Sequence, residues 1–152
     1  MIGLLQRVTE ASVNVDGKVV GSIGPGLLVL AAVQPEDTEA AAKRLAERIF
    51  GYRVFPDKAG KMNLSLANTG LGLLLVPQFT LAADTRKGMR ASFTGAAGPE
   101  LGRRYFALLV SICSELLPGV QSGVFGADMK VALVNDGPVT FWIRVPPHEA
   151  AE

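Results

Sequence analysis

The chain has 152 residues, with 15 Lys and Arg against 14 Asp and Glu, and is 49% hydrophobic and 19% charged. That length suits one ordinary domain, which buries roughly 70% of the surface its unfolded chain exposes. The near-zero net charge excludes the strongly basic balance of a protein that grips nucleic acid non-specifically. The longest apolar runs, such as residues 27–33, fall far short of the roughly 20 residues that span a bilayer. The first residues, Met1 to Arg7, carry no basic leader or cleavage pattern, so a cytoplasmic location is expected. The apolar surplus on a short chain hints at an oligomer interface.

Residues 2–8 read as a first strand. Residues 12–15 and 18–23 flank Asp16-Gly17, a two-residue turn suited to a tight antiparallel hairpin. After Gly24-Pro25-Gly26, residues 27–33 are apolar without alternation, as in a central strand covered on both faces. Residues 36–50 form a first helix, capped by Asp37 or Thr38, with Ala42, Leu45, Ala46 and Ile49 on one apolar stripe. A short strand over 52–55 ends at Pro56, and a second fully apolar strand over 71–76 leads into Pro77-Gln78-Phe79-Thr80.

Residues 82–98 are rich in Gly, Ala, Ser, Thr and charge, and read as an ordered but irregular loop. A second helix opens with Pro99 just inside Gly98 and stops at Pro118-Gly119. Two final strands, 130–134 and 139–145, are separated by Asn135-Asp136-Gly137-Pro138, and the tail 146–152 is expected to fray. With no repeat or linker, residues 1–145 are one α+β domain.

The ordinary catalytic inventory is short. The single histidine, His148, lies in the Pro-rich tail, so a serine or cysteine nucleophile lacks its usual base. Cys113 falls in an apolar helical pattern, where a buried small hydrophobe is the expected role. No residue spacing fits a zinc or calcium site, and no phosphate-binding loop occurs. Asp84 and Asp128 are the remaining candidates for a general base, and both also read as turn-ordering residues. Arg86, Lys87 and Arg90, with Arg103 and Arg104, are local candidates for phosphate contact or plain solvated charges.

Two polar segments at strand ends carry a resemblance. Pro77-Gln78-Phe79-Thr80-Leu81 resembles the Ser-Gln-x-x-x motif of D-aminoacyl-tRNA deacylases, and Asn135-Asp136-Gly137-Pro138-Val139-Thr140 their Asn-x-Gly-Pro-x-Thr motif. Order and separation fit as well. So do Gln6-Arg7-Val8, Gly60-Lys61-Met62-Asn63-Leu64-Ser65, Ala83-Asp84-Thr85-Arg86-Lys87-Gly88, Ser92-Phe93-Thr94 and Phe125-Gly126-Ala127-Asp128-Met129-Lys130-Val131. The resemblance runs from the start to about Arg144.

It implies a mixed, mostly antiparallel, barrel-like sheet packed with two main helices, and a homodimer without cofactor, metal, membrane or stable protein partner. The substrate is the 3′ end of an aminoacyl-tRNA, whose D-aminoacyl ester, or glycyl ester, is hydrolysed. Backbone N–H groups around Gln78, Phe79 and Thr80 are implied to hold the oxyanion, with help from the 2′-hydroxyl of the terminal adenosine. Thr80 reads as a positioning residue, or as a strand-end hydroxyl bonded to backbone.

Gly137-Pro138 is implied to form a cis peptide bond that enters the partner's site and turns away L side chains by collision. Arg7 and Met129 match family positions near that pocket. Arg7 either holds the Gly-Pro carbonyls or faces solvent, and Met129 and Phe79 serve as core or pocket wall. Gly-Pro here distinguishes the chain from a sister group that carries Gly-Thr and acts on mischarged L-alanyl-tRNA. One departure stands out: Pro77 replaces the usual serine and has neither hydroxyl nor backbone N–H. That departure motivates an alternative, a catalytically weak nucleic-acid-binding relative of the same fold.

Overall fold

The computed structural model describes residues 1–147. The elements in chain order are β1 (Ile2–Val15), β2 (Lys18–Ile23), β3 (Gly26–Ala32), α1 (Glu39–Gly51), β4 (Phe55–Pro56) and β5 (Met62–Leu64). They continue with α2 (Leu66–Thr69), β6 (Gly72–Pro77), a 3-10 turn (Phe79–Ala82), α3 (Pro99–Leu116), β7 (Gln121–Ser122) and β8 (Lys130–Arg144).

The main sheet runs β2-β1-β3-β6-β7, and β8 pairs with the opposite edge of β1. Pairings of β1 with β2, β3 and β8 are antiparallel, while β3–β6 and β6–β7 are parallel. The sheet curls into a nearly closed barrel with α1 and α3 packed against it, the mixed α+β architecture expected from sequence.

The apolar strands lack alternation because both of their faces are buried. Leu27, Val29, Leu73 and Leu75 point into one core with Leu45 and Ile49 of α1 and Leu109 of α3. Their neighbours Leu28, Leu74 and Val76 point into a second core with Val8, Ala11 and Val13. Gly26 of β3 pairs with Gly72 of β6 at close range. A Cβ on Gly26 would stand 2.0 Å from the Gly72 carbonyl oxygen, so no side chain fits there.

Several boundaries differ from the sequence reading. Residues 2–8 and 12–15 are one strand, because Glu10 also pairs, with Val134, and the register merely shifts on either side of Val8. The first helix begins at Glu39 rather than 36, with Thr38 as the cap whose side chain accepts from the Ala41 N–H. Asp37 has other work: its buried carboxylate accepts from the Met1 amino group at 2.7 Å and from the Gln34 N–H at 2.7 Å. The short strand expected over 52–55 is Phe55–Pro56, paired with Met62–Leu64, and α2 follows under a capping box built by Ser65 and Asn68. The second long helix opens at Pro99 behind Gly98, as expected.

The two expected final strands are also one element, β8, which pairs with β1 along its length. Asn135-Asp136-Gly137-Pro138 is therefore no hairpin turn. It lies in an excursion within a continuing strand, where four residues, Asp136 to Val139, stand opposite Arg7 alone. Of the tail expected to fray, residues 148–152 lie outside the described residues.

Candidate active site

Strand β6 delivers the chain to a cleft of about 650 Å³. One wall is Pro77, Gln78 and Phe79; Phe93 and the start of α3 face it, and Arg103, Phe125 and Met129 line the remainder. The Gln78 N–H stays in the sheet, donating to the Ala31 carbonyl at 2.8 Å. The chain then bends into its 3-10 turn, closed by Leu81 N–H to Gln78 O at 3.2 Å and Ala83 N–H to Thr80 O at 3.1 Å. The turn's own ladder starts at Leu81, so the N–H groups of Phe79 and Thr80 have no partner within it. Two backbone donors thus open this turn beside the cleft, while the third donor expected there, Gln78, is committed elsewhere.

The Gln78 side-chain amide donates to the Thr80 hydroxyl. The exposed rings of Phe79 and Phe93 lie 5.2 Å apart, tilted by 59°, at the cleft mouth. The Arg103 guanidinium lies 4.9 Å from the centre of the Phe125 ring. Met129 reaches the cleft across Gly123, where an added Cβ would lie 2.7 Å from the Met129 sulfur.

The candidate bases are all otherwise engaged. Arg86 grips Asp84 with Nε at 2.9 Å, Nη2 at 2.7 Å and its own backbone N–H at 3.0 Å. The Arg86 side chain first, and its backbone N–H second, push the Asp84 carboxyl down to about 2, leaving a weak base. Asp84 also lines a separate shallow depression, not the cleft. Asp128 is exposed and pairs with Lys130 at 3.1 Å. Burial pushes the Cys113 thiol up to about 12, on the core-facing side of α3. His148 lies outside the described residues. Among the described residues, no three His, Cys, Asp or Glu side chains converge.

The β8 excursion is built as a rigid feature. Asn135 spans its neck, its amide donating to Arg7 O and to Val139 O, each at 2.9 Å. Arg7 braces it from beneath: Nε donates to the Asp136 carbonyl at 3.1 Å and Nη1 to the Val54 carbonyl at 2.7 Å. The Gly137–Pro138 bond is cis, and Gly137 has a φ of +134°. A Cβ there would meet Val139 Cγ2 at 2.7 Å and the Arg7 guanidinium at 3.3 Å, so glycine is required. Gly137 and Pro138 are exposed and do not line the cleft of their own chain.

A family model described as D-Tyr-tRNA(Tyr) deacylase matches residues 4–144. The chain belongs to this deacylase family. A D-aminoacyl-tRNA deacylase of Thioalkalivibrio sulfidiphilus is 68% identical over 147 residues, covering 97% of this chain and 99% of the relative. One of Alkalilimnicola ehrlichii is 61% identical over 150 residues, covering 99% and 100%. Among solved structures, the c-Myc DNA Unwinding Element Binding Protein superposes with a TM-score of 0.92 at 34% identity, covering 96% of this chain and 99% of that one. A probable eukaryotic D-amino acid tRNA deacylase, with TM-score 0.82 at 18% identity over 93% and 98%, shares the fold.

Within this deacylase fold the residues singled out from sequence fall into two groups. Gln78, Phe79 and Met129 line the cleft, with Thr80 adjoining. Arg7, Gly137 and Pro138 gather at the excursion instead. The sequence reading gave no role to Asn135, although a polar residue breaking the alternation of β8 was its signal. Arg103, read from sequence as a phosphate-contact candidate or a solvated charge, and Phe125, read only as part of the family resemblance, both line the cleft, because the fold brings α3 to the segment before β8.

Proposed function

We propose that this deacylase hydrolyses the ester joining a D-amino acid to the 3′ end of tRNA, with residues 1–145 as the working unit. The observation that carries the reading is the pair of N–H groups at Phe79 and Thr80, without partners in their own 3-10 turn and beside a cleft in a chain of this family. Water adds to the ester carbonyl, and the two N–H groups hold the oxyanion. The bond to the ribose oxygen then breaks, that oxygen takes up a proton, and free amino acid and tRNA leave. Losing one such donor costs about 100-fold to 1000-fold in rate. With no side chain among the described residues suited to act as base, the neighbouring 2′-hydroxyl of the terminal adenosine assists the proton transfer, and the ester's own reactivity does the rest.

Selection of hand falls to Gly137 and Pro138 of a second copy. Their carbonyls occupy one side of the α-carbon, where an L side chain collides while hydrogen or a D side chain passes. Glycine mischarged on tRNA is therefore also a substrate. Three features favour action between copies. The excursion is exposed, it stands outside its own cleft, and among the described residues β8 pairs with β1 alone while presenting Val134 and Trp142 to solvent. Met129 forms cleft wall for the substrate, and Arg7 positions the excursion. A cytoplasmic homodimer acting in translation quality control fits this reading.

A second reading, nucleic-acid binding without hydrolysis, draws on the likeness to the c-Myc DNA Unwinding Element Binding Protein and on Pro77. Purified protein in chelator, given D-tyrosyl-, glycyl-, L-alanyl- and L-tyrosyl-tRNA, separates the two. Fast loss of the D-tyrosyl and glycyl esters alone is expected. Loss of none, with saturable binding, selects the second reading, and preference for L-alanyl-tRNA removes the account of chirality.

A further inference from the structure

The loop that leaves the 3-10 turn carries a charge pattern unlike the rest of the chain. From 85 to 98 it contains Arg86, Lys87 and Arg90 and no acidic residue. Its base is fixed. Asp84 and Ser92 exchange backbone hydrogen bonds at 2.7 and 3.0 Å, Phe93 packs on Phe79, and the Ala97 N–H donates to the Val33 carbonyl at 2.9 Å. Between these anchors, residues 85–94 are all exposed, and Met89 is fully so. The same loop then forms one wall of the cleft with Phe93, Ala96 and Ala97. A basic tip is thus held on a fixed stalk at the rim of the site.

The three cations are not equivalent. Arg86 is spent on Asp84 through two side-chain hydrogen bonds. Lys87 and Arg90 have no hydrogen bond or ion pair among the described residues and remain available to a ligand. Any aminoacyl-tRNA whose ester lies in the cleft must lead the rest of its strand out over a rim, and phosphates are the groups that strand presents. We propose that Lys87 and Arg90 bind the phosphates of the single-stranded 3′ end just before the aminoacylated nucleotide. The two side chains draw the substrate in and set its direction without touching the reacting ester. A single site of this kind also suits a protein with a net charge of +1, which needs a local contact rather than a basic surface. The inference rests on the deacylase reading above.

The test compares the wild type with the double variant Lys87→Ala/Arg90→Ala on two substrates, D-tyrosyl-tRNA and 3′-O-(D-tyrosyl)adenosine, which lacks the upstream phosphates. On the tRNA, KM is expected to rise roughly 3-fold to 10-fold at low salt while kcat holds. The slope of log KM against log salt should fall by about 1.4, since each single-strand phosphate contact contributes about 0.7. Hydrolysis of the short ester should match wild type. An unchanged KM and salt slope on tRNA would overturn the inference. Equal losses on both substrates would overturn it too, since they would mean a damaged cleft. Wild-type protein that cleaves neither ester removes the deacylase reading, and this inference with it.

Discussion

Asn135 is the most exacting point of the account, because one amide ties both ends of the β8 excursion. Its two N–H bonds reach Arg7 O and Val139 O at 2.9 Å each. Asn135→Ala deletes both and leaves two partly buried carbonyls facing a gap. At about 1 kcal/mol per net hydrogen bond, plus part of the cost of unsatisfied acceptors, the loss is roughly 2–4 kcal/mol. For a chain of this size that lowers Tm by roughly 5–15 °C. Asn135→Asp should be worse at neutral pH, since it sets a carboxylate against two carbonyl oxygens. The two carbonyl oxygens push the introduced carboxyl above its ordinary range, so the gap between the two variants should narrow as pH falls toward about 4 and level off below it. Thermal melts measure stability, and initial rates on D- and L-tyrosyl-tRNA measure whether the excursion still discriminates. A variant as stable and as selective as wild type would refute the claim that this amide holds the excursion in place.

Other expectations follow from the same geometry. Gly137→Ala forces a side chain into a φ of +134° and to within 2.7 Å of Val139. It should cost about 1–3 kcal/mol in melts and raise the rate on L-tyrosyl-tRNA relative to D-tyrosyl-tRNA. Asp84, held down to about 2 by Arg86, stays ionised across neutral pH. Its contribution to folding is present above its ordinary value and is lost only as pH falls through about 2. Asp84→Asn should therefore leave the shape of the pH–rate profile between pH 5 and 8 unchanged, and a lost limb would make Asp84 the base. Cys113, pushed up to about 12 by burial, should resist a thiol reagent at pH 8 until the protein is unfolded. Prompt modification with loss of activity would contradict its core placement.

Sequence carried much of this fold because its cues are local. The caps at Thr38 and Pro99, the Asp16-Gly17 turn and the apolar runs that became β3 and β6 each act within a few residues. What it blurred depends on partners far away. β1 and β8 looked interrupted because strand patterning breaks where the register shifts, and only their mutual ladder keeps each continuous. Asp37 looked like a helix cap because nothing local shows that the Met1 amino group takes its carboxylate. At the site, the two motifs marked the turn beside the cleft and the β8 excursion, but the state of each donor needed coordinates. The Gln78 N–H is consumed by Ala31, a residue of another strand, and Phe79 and Thr80 are left open by the bend that follows.

The central claim is that one copy's cleft works with another copy's Gly137–Pro138 excursion, and mixed dimers test it most directly. One subunit carries Phe79→Pro, which removes a cleft N–H and leaves its excursion intact. The other carries Gly137→Ala, which leaves its cleft intact. All appreciable activity of the mixed dimer then comes from the second subunit's cleft. If the excursion acts across the dimer, that cleft meets an unaltered Gly137–Pro138 segment, and the mixed dimer hydrolyses D-tyrosyl-tRNA while sparing the L-ester. A mixed dimer as unselective as the Gly137→Ala parent would show that each cleft answers to its own chain, and would contradict the account.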